Sequence, residues 1–239
     1  MTGQSTLDIF LFAIFPYLAL FILVFVSIQR YLARPFTYSS LSSQFLENRS
    51  QFWGIIPFHY GIIFLFFGHL SAFLVPSHVL AWNGVTWRLY ILEITALIFG
   101  LLTLTGLVQL ISRRLHDHKV LRVTSTADWV LYALLLIQIF AGVYVAVFYR
   151  WGSSWFSSVL TPYLWSIFKL NPDLSSLSGL PFMVKLHIAN AFLILAVFPF
   201  GRLVHLLVVP NPYLWRRTQV VRWYRDPAIS RHSLPSKSR

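Results

Sequence analysis

The sequence predicts an all-α integral membrane protein, a bundle of five transmembrane helices. Three observations point there. Only 11% of the 239 residues are charged, against about a quarter in a soluble domain. Five apolar stretches are each long enough to cross about 30 Å of hydrocarbon, which takes roughly 20 helical residues. The basic residues lie mostly between those stretches. The net charge of +12 would suggest nucleic acid in a soluble protein; here it reads as topology.

The elements follow in order. The first span is 7–29; the start MTGQSTLDIF has no basic n-region and its apolar stretch is too long for an h-region, so no cleavable signal peptide is expected. The second, 53–75, runs from Trp53 to the residue before Pro76, and the third is 89–112. The fourth is 127–149. The loop 150–183, rich in Trp, Ser and Pro, is expected to fold over the outer mouth of the bundle. The fifth span, 184–209, stops at Pro210. One membrane domain thus covers 1–210, followed by a basic tail, 211–239, whose end needs a partner to become ordered. No internal repeat of the transporter kind is evident.

Orientation follows from the basic residues. Segments 30–52, 113–126 and 210–239 hold fourteen, while the N-terminus and segments 76–88 and 150–183 hold three. The positive-inside rule then puts the N-terminus outside and the C-terminus in the cytoplasm, a parity that five crossings satisfy. Trp53, Trp82, Trp87, Trp151, Trp155 and Trp215 mark the expected interfaces.

Two spans each contain two histidines: His59 and His69, then His187 and His205. An ionisable side chain inside a bilayer is expensive and points to function. Partners within one helix are excluded, because the ten residues from His59 to His69 span about 15 Å while two imidazole nitrogens on one metal lie about 4 Å apart. The second and fifth helices run in opposite directions. His59 and His205 therefore share the cytoplasmic level, and His69 and His187 the outer level. Eighteen residues separate His187 from His205 and return to one helix face, yet they span about 27 Å, a mismatch that tilt must absorb. The absence of Cys excludes disulfides, covalently attached haem and thiolate-held Fe–S clusters, so the expected centres are two haem b groups held by imidazole alone. Gly61 and Gly68, and Ala189 and Ala191, would let a macrocycle approach, although small residues also serve helix packing. His78, His116, His118 and His232 fall in loops or the tail, and HDHK at 116–119 reads as a solvated basic loop.

The stretches FHYGIIFLFFGHLSAFLVP (58–76) and KLHIANAFLILAVFPFGRLVHLLVVP (185–210) resemble the haem-binding helices of the gamma subunit of respiratory nitrate reductase. The resemblance continues through IFPYLA (14–19), SSQFLE (42–47), SRRL (112–115) and RVTSTADWVLYALLLIQIFAG (122–142), and covers about 7–222. It implies a di-haem cytochrome b of a bacterial or archaeal cytoplasmic membrane. His59 would pair with His205 near the cytoplasm, and His69 with His187 near the outer face. It implies a cytoplasmic Fe–S partner subunit and a molybdenum catalytic subunit; the basic asymmetry and the aromatics Trp215, Trp223 and Tyr224 make the segment 211–226 the expected docking region. It also implies oxidation of a lipid quinol beside the outer haem, protons released outside and electrons leaving at the cytoplasmic face. The family uses a Lys before the third span at the quinol site; here the order AW…R (81–88) offers Arg88. Glu93 has no family counterpart and reads as a proton acceptor or as a partner for Arg88 at the membrane edge. Arg202, Arg113 and Arg114 lie at the cytoplasmic level and could fork onto haem propionates; membrane anchoring is the alternative. Similar subunits serve chlorate-, selenate- or sulfur-linked complexes and nitrite oxidisers. A proton-handling transporter and a haem-free membrane anchor are the rival classes.

Overall fold

A computed structural model describes residues 5–34, 37–38 and 49–208. Among them there is no strand, and five helices are long and apolar enough to cross a membrane. These are α1 (Thr6–Ala33), α2 (Arg49–Leu74), α4 (Thr86–His116), α6 (Thr126–Phe148) and α8 (Phe182–Val197). Shorter helices join them: α3 (Pro76–Asn83), α5 (His118–Arg122) and α7 (Thr161–Phe168). The chain up to Leu207 forms one compact unit; the second unit begins at Val208, and the tail 211–239 lies outside the described residues.

Neighbouring helices pack in the order α2, α4, α6, α8, α1. The α2–α4 contact is the closest. A Cβ built on Gly61 would sit 2.1 Å from Thr103 Oγ1, and one on Gly106 would sit 2.5 Å from the Phe58 backbone nitrogen. Gly61 therefore serves helix packing, the alternative reading of that glycine. Nothing lies within 4 Å of a Cβ at Gly68. Small residues draw transmembrane helices together because lipid supplies no hydrophobic drive between them.

Prolines place the irregularities. Pro16 has no N–H to return to the Phe12 carbonyl, and a π-helical turn, Phe10–Ile14, lies just before it. The released carbonyl accepts from Tyr163 Oη at 2.9 Å, with both residues buried. Pro76 releases the Ala72 carbonyl in the same way, and Thr161 Oγ1 donates to it at 3.2 Å. Trp165 Nε1 donates to Phe73 O at 3.1 Å, and Tyr17 Oη to Ile167 O at 3.0 Å. The segment after α6 thus packs over the end of α2 and against α1, as a capping segment should. In a bilayer such carbonyls must find donors within the protein.

The largest departure from the sequence reading is the fifth span. A single helix over 184–209 is expected, but α8 ends at Val197. Two 3₁₀ turns follow, Phe198–Phe200 and Arg202–Val204, around an extended Gly201, before α9 (His205–Val208). Pro199 breaks the ladder. Carbonyls at the break are met from α1: Arg30 Nη1 donates to Pro199 O at 2.6 Å and to Gly201 O at 3.2 Å. The third span is also longer than expected, running through His116, where basic residues suit the C-terminal end of the helix dipole.

Candidate metal centres

The histidines meet in the two pairs that depth predicts. His59 and His205 have ring centroids 6.4 Å apart, and so do His69 and His187. Half of that distance, about 3.2 Å, matches a metal–nitrogen bond of about 2 Å plus the roughly 1.1 Å from ring nitrogen to ring centre. The pairs bridge α2 to α8 and to the segment following α8, although α2 packs against α4 and α8 against α6 and α1.

Every one of the four imidazoles has its Nδ1 on a backbone carbonyl. His59 Nδ1 is 2.9 Å from Ile55 O, and His69 Nδ1 is 2.8 Å from Leu65 O. His187 Nδ1 is 3.0 Å from Gln138 O, and His205 Nδ1 is 2.6 Å from Arg202 O. A carbonyl only accepts, so each Nδ1 carries the proton and each Nε2 is the nitrogen with a lone pair for a metal. Among the described residues no three of His, Cys, Asp and Glu gather in one place. A bare ion such as zinc takes three or four protein ligands. Two imidazoles suit a metal that brings its remaining ligands with it.

The sequence reading missed three residues around His187, all of them on α6 or α8. A Cβ on Gly142 would lie 3.0 Å from His187 Cε1, so this glycine makes room for the ring. Gln138 offers its carbonyl to Nδ1, and its side-chain amide lies 3.1 Å from His187 Nε2. Asn190 Nδ2 donates to Gln138 Oε1 at 2.8 Å and to Leu134 O at 3.0 Å. The signal was available: an amide inside an apolar span is costly, by the same rule that singles out the histidines. At the other end of His69, Phe156 stands edge-on to the ring with centroids 5.4 Å apart.

Arg88 and Glu93 are not partners. The Arg88 guanidinium lies over the Trp82 and Trp87 rings, 5.2 and 5.5 Å from their centres. Glu93 Oε1 accepts from the Ser153 backbone at 2.8 Å and from its hydroxyl at 2.6 Å. Five helical residues turn the two side chains about 140° apart, so Glu93 reaches the chain after α6 rather than Arg88. Asn83 Nδ2 extends that network, donating to Ser153 Oγ at 2.9 Å and Ser154 Oγ at 3.0 Å. A mostly apolar cavity of about 510 Å³ opens at the same end, lined by Tyr149, Arg150, Trp155 and Val184 among others.

At the His59 end, Arg113 and Arg114 are both buried. Arg114 donates to Tyr132 Oη at 2.7 Å and to Thr124 Oγ1 at 2.9 Å. Arg202 forks onto Asp128, its Nε meeting Oδ1 and its Nη2 meeting Oδ2 at 2.7 Å. Its carboxylate partner is thus supplied by the protein itself.

Comparison with known proteins adds a second line of observation. Residues 8–224 match the nitrate reductase gamma subunit family. The chain is 33% identical over 226 residues to the nitrate reductase gamma chain of Bacillus subtilis, covering 93% of this chain and 99% of that one. It is 34% identical over 226 residues to the respiratory nitrate reductase 2 gamma chain of Escherichia coli, covering 90% and 97%. The E. coli respiratory nitrate reductase 1 gamma chain is 31% identical over 221 residues, with the same coverage. With a family match across nearly the whole chain and the five spans and histidine pairs in place, this protein belongs to the nitrate reductase gamma subunit family.

Proposed function

We propose that the chain is the di-haem b membrane subunit of a nitrate reductase complex, passing electrons between membrane quinol and an Fe–S partner subunit. The observation behind it is the two bis-imidazole pairs, each with centroids 6.4 Å apart and each Nδ1 on a carbonyl. His59 and His205 would hold one haem, and His69 and His187 the other. Haem b supplies reversible one-electron chemistry when bound. The protein's own part is orientation. The four carbonyls fix the tautomers and raise the basicity of the ligating nitrogens. Gly142 leaves space for the His187 ring, and the Gln138 amide, which shares His187 Nε2, would have to yield that position for the nitrogen to hold a metal.

The quinol site lies beside His69 and His187, at the end that the distribution of basic residues assigns to the outside. Arg88 would stabilise the negative charge that develops on the quinol oxygen as its proton leaves, but its guanidinium stays protonated and cannot itself act as the base. Glu93, hydrogen-bonded to Ser153, would accept the proton. Quinol oxidation at one face and electron exit at the other moves charge across the bilayer, worth about 2.3 kcal/mol per charge per 100 mV. The molybdenum catalytic subunit and the Fe–S subunit would sit on the cytoplasmic side, with 211–226 as the contact.

Difference spectra and haem quantitation of the four single His→Ala proteins test this reading. We expect b-type bands and two haems in the parent protein. His59→Ala and His205→Ala should remove one haem, and His69→Ala and His187→Ala the other. Loss of the same haem from His59→Ala and His69→Ala would overturn the pairing. A parent protein without b-type bands would leave a haem-free anchor.

A further inference from the structure

His205 stands just beyond a backbone break, and that break has to be held. Non-helical backbone at membrane depth is tolerated only where the protein satisfies its freed groups. Two clamps from different helices converge here. From α1, Arg30 donates to Pro199 O and Gly201 O through Nη1, while its Nε and Nη2 each reach Thr37 at 3.0 Å. From α6, Asp128 receives the Arg202 guanidinium through two oxygens. The Arg202 carbonyl, in turn, accepts the Nδ1 proton of His205 at 2.6 Å.

Asp128 does two jobs at once. Its Oδ2 accepts the Ser125 N–H at 2.9 Å and its own N–H donates to Ser125 Oγ at 3.3 Å, completing a capping box at the start of α6. It is also 3% exposed. The N3 member of a capping box needs no such burial and no charge, since Gln serves there as well as Glu. A buried carboxylate is costly unless paired, so its position is explained by Arg202 rather than by the cap.

We propose that Asp128 is a positioning residue for His205. Acting through the Arg202 guanidinium, it holds the 3₁₀ turn whose carbonyl fixes the His205 imidazole, while Arg30 holds the other side of the same break. This rests on the assignment of His59 and His205 as haem ligands. Asp128 touches neither imidazole. Its effect is confined to one of the two sites, because His187 is oriented by Gln138 instead.

The test uses the intact complex and the variants Asp128→Asn, Asp128→Glu, Arg202→Gln, the double Asp128→Asn/Arg202→Gln, and Ser125→Ala. Asn keeps the cap acceptor and removes the charge; Ser125→Ala removes the cap and keeps the charge. The readouts are haem loss to apomyoglobin, the low-spin electron paramagnetic resonance signal of each haem, and each haem's midpoint potential. We expect Asp128→Asn to speed loss of the His59/His205 haem by about 10–100-fold, as disrupted outer-shell partners generally do. Its resonance signal should shift, with the other haem unchanged. Asp128→Glu should restore part of the effect, and the double variant should be no worse than Arg202→Gln alone. Several results would overturn the proposal: an unchanged haem in Asp128→Asn, the same loss in Ser125→Ala, or equal loss of both haems. Additive effects in the double variant would overturn it too, because Arg202 would then act without Asp128. A parent complex with no b-type haem would instead bring down the functional reading beneath it.

Discussion

Gly142 shows how much can rest on a single missing methyl group. The His187 ring fills the space a side chain would take, with Cε1 at 3.0 Å and Nδ1 at 3.5 Å from an ideal Cβ. Gly142→Ala should displace that ring from the Gln138 carbonyl. We expect about tenfold or greater loss of the His69/His187 haem with the other haem retained, measured by haem quantitation against the His69→Ala spectrum. Full occupancy of both sites would show that the ring can yield. At this scale the sequence revealed the paired histidines and concealed their supports. Histidines in apolar spans stand out because ionisable groups there are rare. A glycine whose use is the neighbour it admits from another helix leaves no such mark. Gln138 and Asn190 were readable as costly amides, but the helix they serve was not. Of the two readings of Glu93, the pairing with Arg88 is absent, because sequence proximity hides helical angle.

Among the elements, the short segment after α6 has the clearest structural duty. It supplies hydroxyl donors to the carbonyls released by Pro16 and Pro76. Tyr163→Phe removes one such donor and strands the buried Phe12 carbonyl. The cost should be about 1–3 kcal/mol, seen as faster proteolysis in 150–180 and a lower unfolding temperature. An unchanged protease profile would show that another donor replaces Tyr163. Proline positions were legible as points of interruption, and a capping role for the loop was readable from its composition. The break after Val197 is not legible in the spacing, because 18 residues return to one face of a straight helix whether or not Pro199 and Gly201 interrupt it. That break is where the length mismatch between the two histidine helices departs from straight-helix geometry.

For the whole molecule, hydropathy foretold five spans, and all five appear, four within a few residues of expectation and the fifth ending well short of 209. The order in which they pack was not legible, since it depends on glycine contacts such as Gly61 with Thr103 that only pairing reveals. Quinol entry belongs at this scale, because the Arg88 surface and the cavity beside Arg150 are alternative places for it at one end of the bundle. Arg88→Ala should slow quinol-dependent haem reduction at least tenfold while dithionite still reduces both haems, and Arg150→Ala should leave the rate near the parent value. The opposite pattern would move the site to the cavity beside Arg150. The carbonyl acceptors carry one more consequence. On α2, each imidazole leans on its own helix one turn back, so that helix aims its two imidazoles unaided. The other two are aimed by the company they keep: His187 by a carbonyl from α6, His205 by a turn pinned from α1 and α6. Each histidine pair therefore joins one self-sufficient imidazole to one dependent imidazole. On the proposed reading, a haem seated at either level would certify that the helices around it have already assembled.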